Sequence, residues 1–233
     1  MPYISNSPWE YIKLYPLTVY RGGIMVVGNR EKNIRRIIEM EDKICQCQRC
    51  PSLVKCIRKP SMGKGELEPE ALLVFEYENN FTRDINNIIN LRNLIKQEFK
   101  LDKIYHTYMV RCQPKACATR QSVNCYGRGK WIDKDYNCLL NNNTCDGIPV
   151  KPGTGEIISC LPYLLEEIEI LHPTYLFLFG DRVAEFVLKS YGVYDNFVAY
   201  QRYAYEQMVF LTSVNEDKFE LESCHQLVNI LSE

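Results

Sequence analysis

Residues 172–190 read HPTYLFLFGDRVAEFVLKS, and this stretch decides the fold class. TYLFLF (174–179) is an uncharged run of strand length, the pattern of a strand buried on both faces. Gly180 turns the chain, and residues 182–190 continue as a helix. Upstream, 156–171 is helical and stops at His172-Pro173, because the residue before a proline is pushed out of helical geometry. A buried strand between two helices is the repeating unit of an α/β protein.

The unit recurs in both directions. ALLVFE (71–76) is a second continuous apolar run, followed by an amphipathic helix over 84–99 through Ile85, Ile88, Ile89, Leu91, Leu94 and Ile95. IYHTYMVR (104–111) and MVFLT (208–212) complete four strands. Further helices are expected over 31–44, where Ile34, Ile37, Ile38 and Met40 form a stripe, and over 219–231. Strands alternating with helices predict an α/β sandwich around a mainly parallel, four-stranded central sheet. Residues 1–30 read as an N-terminal extension punctuated by Pro2, Pro8 and Pro16, leaving 31–233 as the domain.

At 233 residues, with 46% apolar and 24% charged side chains, the chain can bury a full core and does not have a disordered composition. No run approaches the ~18 apolar residues of a membrane span, and the N-terminus lacks a signal-peptide core, so a cytoplasmic protein is expected. A net charge of −1 gives no global attraction to nucleic acid, so any such binding requires a local basic patch. Eleven cysteines are the departure from average. In a reducing compartment, clustered thiols are more often metal ligands than disulfides, and an odd count leaves one unpaired.

Five segments, in order, resemble the iron–sulfur (family four) branch of the uracil-DNA glycosylases. Residues 47–53 (CQRCPSL) resemble its C-x-x-C-x-x-L opening, with Gly63-Lys64-Gly65 and the strand at 71–76 following as in that family. Residues 110–114 (VRCQP) resemble its V-K-C-R-P segment, and the helix at 156–168 its E-x-x-x-C-x-P-x-L helix. HPTYLFLFGDRV (172–183) resembles its P-x-x-x-x-x-L-G-x-x-A segment. The resemblance implies a three-layer α/β/α sandwich. It also implies a [4Fe–4S] cluster on Cys47, Cys50, Cys112 and Cys160, with Cys45 a rival for one position. Four thiolates are the ligand count such a cluster needs. Ordinary buried thiols at Cys112 and Cys160 are the plainer reading. The implied activity is removal of uracil or another altered base from DNA, single-stranded or with the base flipped out. A catalytically inactive relative that binds nucleic acid without base removal is the alternative.

The catalytic motifs depart from the family. Its G-E-A-P-G becomes Phe75-Glu76-Tyr77-Glu78-Asn79, which retains Glu76 as the catalytic candidate. The aromatic of its P-F-x-G-x-A-G segment has no counterpart, leaving Tyr77 or Phe81 to stack on a base. Its uracil-reading Asn falls at Thr107 or Tyr108, so the pocket candidates are Tyr77, Phe81 and Tyr108. Its terminal H-P-S becomes Ser213-Val214-Asn215-Glu216, and His225 lies too far along to substitute. Base excision needs stacking, edge hydrogen bonds and stabilisation of a sugar cation or base anion. The scaffold is retained and the standard uracil pocket is not.

Between Cys112 and Cys160 the family has a short connection, whereas residues 113–155 form a Cys-rich insertion with Cys117, Cys125, Cys138 and Cys145. Four thiols in a weakly apolar segment suggest a second metal, zinc or another cluster, although no C-x-x-C pair occurs among them. Scattered reduced thiols or a redox-active pair are the other readings. Arg111, Lys115, Arg120, Arg128 and Lys130 fall close together without an acid, with Tyr126 and Trp131 among or beside them. Cations interleaved with aromatics suit a nucleic-acid backbone and its bases. A solvated loop explains the charges equally simply.

Overall fold

The computed structural model describes residues 28–50, 60–112, 115–116, 137–139, 142, 148–149 and 151–232. The elements run α1 (Gly28–Cys45), β1 (Lys64–Gly65), β2 (Ala71–Tyr77), α2 (Asn80–Arg83), α3 (Ile85–Phe99) and β3 (Ile104–Val110). There follow β4 (Lys115–Ala116), β5 (Ile148–Pro149), α4 (Thr154–Leu171), β6 (Tyr175–Phe179) and α5 (Asp181–Ser190). The chain closes with β7 (Arg202–Tyr205), β8 (Met208–Ser213), a 3-10 turn at Glu216–Lys218 and α6 (Leu221–Ser232).

The main sheet has the order β1-β3-β2-β6-β8-β7. Its central strands β3, β2, β6 and β8 are mutually parallel and are the four apolar runs of the sequence. The expected four-stranded sheet is therefore corrected to six strands, because an antiparallel strand is added at each edge. β1 is only two residues long, and β7 (RYAY) is largely exposed, so neither carries the apolar run that marks an interior strand.

Alternation along the strands divides the core in two. Leu72 and Val74 of β2, Tyr105 and Met109 of β3, and Leu176 and Leu178 of β6 pack with α1, α4 and α5. Leu73 and Phe75, Ile104 and Tyr108, and Phe177 and Phe179 pack with α3 and α6. This gives the three layers. Asp84 caps α3 by accepting from the Asn86 N–H at 2.9 Å. α4 ends at His172, whose left-handed φ of 44° lets its N–H reach the Ile168 carbonyl. Gly180 is required where β6 turns into α5: its φ is +86°, and a Cβ there would collide with the Asn215 side chain. No helix among the described residues is long and apolar enough to cross a membrane.

β4 and β5 pair as a separate two-stranded ribbon, Lys115 opposite Pro149 and Ala116 opposite Ile148, which joins the two ends of the insertion. Cys117, Cys125 and Cys145, with Arg120, Arg128 and Lys130, lie outside the described residues. Cys138 is buried.

Candidate active site at the carboxyl ends of the strands

Parallel sheets present their ligands at the carboxyl ends of the strands, where helix N-termini and loops converge. Here the ends of β2, β6 and β8 bring together Glu76, Arg182 and Glu216. Glu76 points to the side of the sheet that α5 covers. Arg182, in the first turn of α5, donates from Nη1 to Glu76 Oε1 at 2.5 Å and from Nη2 to the Pro152 carbonyl at 2.9 Å. Lys151 Nζ stands 3.8 Å from the other carboxylate oxygen, Oε2. Burial raises the Glu76 carboxyl above its ordinary pKa, and Arg182 and then Lys151 pull it back. Among the described residues, one carboxylate oxygen is fixed by the Arg182 guanidinium and the other faces the Lys151 ammonium at 3.8 Å.

A second carboxylate lies beside it. Glu216 stands in the segment that replaces H-P-S, and it is buried. Asn79 Nδ2 donates to it, while Asn79 Oδ1 accepts from the Thr82 N–H at 3.0 Å and so caps α2. Burial raises the Glu216 carboxyl, and the Asn79 hydrogen bond opposes that rise. Both acids act on Tyr77, whose phenol is raised by burial first and then by Glu76 and Glu216.

The pocket candidates are divided by the sheet. Tyr77 packs against the core shared with α4 and α5, whereas Phe81 and Tyr108 belong to the core under α3. Tyr108 is buried beside Phe75, with ring centroids 6.0 Å apart, and burial raises its phenol to about 12. Thr107 is buried and donates to Glu167 Oε2 at 2.5 Å. Arg182, Lys151, Asn79 and Glu216 were not singled out from the sequence as members of this cluster. The available signal was the strand–glycine–helix turn at Gly180, which places the next helix's first residues at the strand ends.

The four cysteines singled out by the resemblance converge at another place. The Cys47–Cys50 segment lies against α4: Arg49 stacks 4.9 Å over the Tyr163 ring and reaches the Ser159 carbonyl at 3.4 Å. Cys160 faces inward from α4 and accepts the Arg111 N–H on its sulfur at 3.3 Å. Cys112 follows β3. Burial raises its thiol to about 12, and Cys160, Cys50, Cys47 and Cys45 add to the rise in that order. Cys45 is exposed. Among the described residues no group of three or more His, Cys, Asp or Glu is close enough to hold a metal ion. Cys47, Cys50, Cys112 and Cys160 would supply the all-thiol donor set that an iron–sulfur cluster takes.

Arg111 is corrected as a member of the basic run. It is 1% exposed, and Nη2 is ion-paired with Glu167 inside the molecule, so it offers nothing to a phosphate. Lys115 is placed by its backbone pairing in β4. His106 is a buried core histidine on β3, and burial lowers its imidazole to about 4. Cys224 is buried, while its neighbour His225 turns outward to Glu98 at 3.3 Å, so the two form no thiol–imidazole pair.

No curated protein matches the chain. The family model described as the uracil DNA glycosylase superfamily matches residues 21–222, from before α1 into α6. With the parallel sheet, the helical layers and the acid at the end of β2, that match covers most of the sequence: the chain belongs to the uracil-DNA glycosylase superfamily.

Proposed function

We propose that this chain is a DNA glycosylase with a rebuilt base pocket, removing uracil or another altered base from single-stranded DNA or from a flipped-out nucleotide. The observation that carries the reading is the Glu76 carboxylate, half-buried at the end of a central strand and oriented by Arg182. Breaking the glycosidic bond develops positive charge on the sugar, and a carboxylate in a site of reduced dielectric stabilises that charge more strongly than one in water. Oε2, 3.8 Å from Lys151, is the oxygen left to accept a proton from the attacking water. The base departs with its glycosidic electrons, and the water oxygen bonds to the sugar carbon.

Cys47, Cys50, Cys112 and Cys160 are assigned to a [4Fe–4S] cluster. When bound, it supplies cross-links between the segment after α1, the end of β3 and helix α4. The chain's own residues perform the base chemistry.

One observation favours the non-catalytic alternative. Where the family has a His that stabilises the departing base, this chain has Glu216 tied to Asn79, and an ionised acid there opposes a base anion. Oligonucleotides carrying uracil or hypoxanthine, incubated with anaerobically purified protein, separate the two readings when release and binding are measured on the same sample. Base release that vanishes in Glu76→Gln supports the glycosylase. Tight binding with no release overturns it in favour of the binder.

A further inference from the structure

The interior of the molecule holds a charge that the proposed chemistry does not use. Arg111 follows β3 and is completely buried, and its Nη2 donates to Glu167 Oε2. Its Nε and Nη1 have no hydrogen-bond partner among the described residues. A guanidinium carries five N–H donors, and buried donors left unmet cost free energy comparable to a lost hydrogen bond. Glu167 cannot take them all, because it also accepts from Tyr105 Oη at 3.1 Å and Thr107 Oγ1 at 2.5 Å. Gly63 closes the other side of this group, where a Cβ would stand 2.6 Å from Glu167 Oε1. The guanidinium therefore has spare donors and a positive charge that one heavily shared carboxylate only partly answers.

The proposed cluster ligands adjoin the Arg111 backbone, and Cys160 is among the charges that act on its guanidinium. The Arg111 backbone N–H donates to Cys160 Sγ at 3.3 Å, its carbonyl accepts from the Ser61 N–H at 2.8 Å, and Cys112 is the next residue. We propose that Arg111 is a positioning residue for the iron–sulfur cluster, offsetting the negative charge that four thiolates carry into a dry pocket, while Glu167 holds its guanidinium in place. The inference rests on the cluster assignment made above. Hydrogen bonds and fixed charges around cluster sulfurs set both retention and reduction potential.

The test uses the full chain, purified anaerobically, with iron and sulfide content, cluster loss to a chelator and a redox titration as readouts. Arg111→Met is expected to lose its cluster on the order of 10-fold faster than the parent and to shift the potential negative. Glu167→Gln removes the opposing charge and is expected to shift it positive. The double variant R111M/E167M replaces the pair by apolar side chains of similar bulk and guards against misfolding of the single variants. It is expected to retain native circular dichroism and still lose the cluster faster. Unchanged potential and unchanged loss in Arg111→Met and in the folded double variant overturn the proposal while leaving the cluster intact. Parent protein that takes up no iron or sulfide overturns the cluster assignment itself, and the role of Arg111 with it.

Discussion

Two carboxylate–arginine pairs lie between the sheet and the layer formed by α4 and α5, and they occupy different media. Arg111 and Glu167 have side-chain exposures of 1% and 0%, whereas Arg182 and Glu76 have 18% and 16%. The first pair joins a strand end to the middle of a helix, and its carboxylate is further shared by Tyr105 and Thr107. The second pair joins a strand end to a helix start and leaves one carboxylate oxygen facing an exposed lysine 3.8 Å away. Desolvating both charges makes a fully buried pair a poor source of net stability, yet removing one partner strands the other. A partly wet pair costs less to break and stays able to exchange protons with water. The same two functional groups thus serve architecture in one place and suit chemistry in the other.

The largest expected effect breaks the dry pair. Arg111→Met or Glu167→Gln should lower stability by about 3–5 kcal/mol in chemical denaturation, and R111M/E167M should recover most of that loss. A loss below about 1 kcal/mol in the single variants would remove the distinction between the pairs. Next, Glu76→Gln keeps shape and hydrogen bonding, so unfolding should shift by no more than ~1 kcal/mol. Single-turnover base release should fall on the order of 100-fold.

The third prediction concerns pH. Burial raises the Glu76 carboxyl and Arg182 lowers it, so Arg182→Met should raise it further. Release requires the ionised form and declines as pH falls through that pKa. The acid limb of the rate profile should therefore move to higher pH in the variant. A limb that moves the other way would contradict this ordering of causes. The smallest effect is expected at Lys151, whose side chain is 57% exposed. Lys151→Ala should change stability by about 0–1 kcal/mol, and salt should diminish the difference.

What could be read from the sequence follows the same division between dry and wet. The four central strands announced themselves because a parallel strand covered on both faces needs apolar residues throughout. Strands β1 and β7 stayed hidden, since an edge needs no such run. Glu167 was illegible for a subtler reason. It sits beside Glu166 in LLEEIEIL, and composition treats the two alike. Helical phase separates them: Glu166 turns outward to Lys43 at 3.0 Å, while Glu167 points inward with Leu164 and Ile168. Arg111 was misread as surface charge because its neighbours in the chain are basic, and its interior partner is 56 residues away. Glu76 could be found because the resemblance keeps that one residue of the family's motif, just after a recognisable strand run. Arg182 and Glu216 reach it only through the crossovers of the sheet.

That separation of 56 residues bears on what the insertion costs the fold. Bringing Arg111 and Glu167 together closes a loop that contains the whole insertion, and the entropic cost of closure grows only with the logarithm of loop length. Doubling such a loop adds roughly 0.6 kcal/mol, far less than the ~3–5 kcal/mol at stake when a buried pair is broken. β4 and β5 pair the two ends of the insertion, so the chain between them leaves and returns at one clasp. The scaffold can thus carry the long segment between Cys112 and Cys160 at little thermodynamic expense.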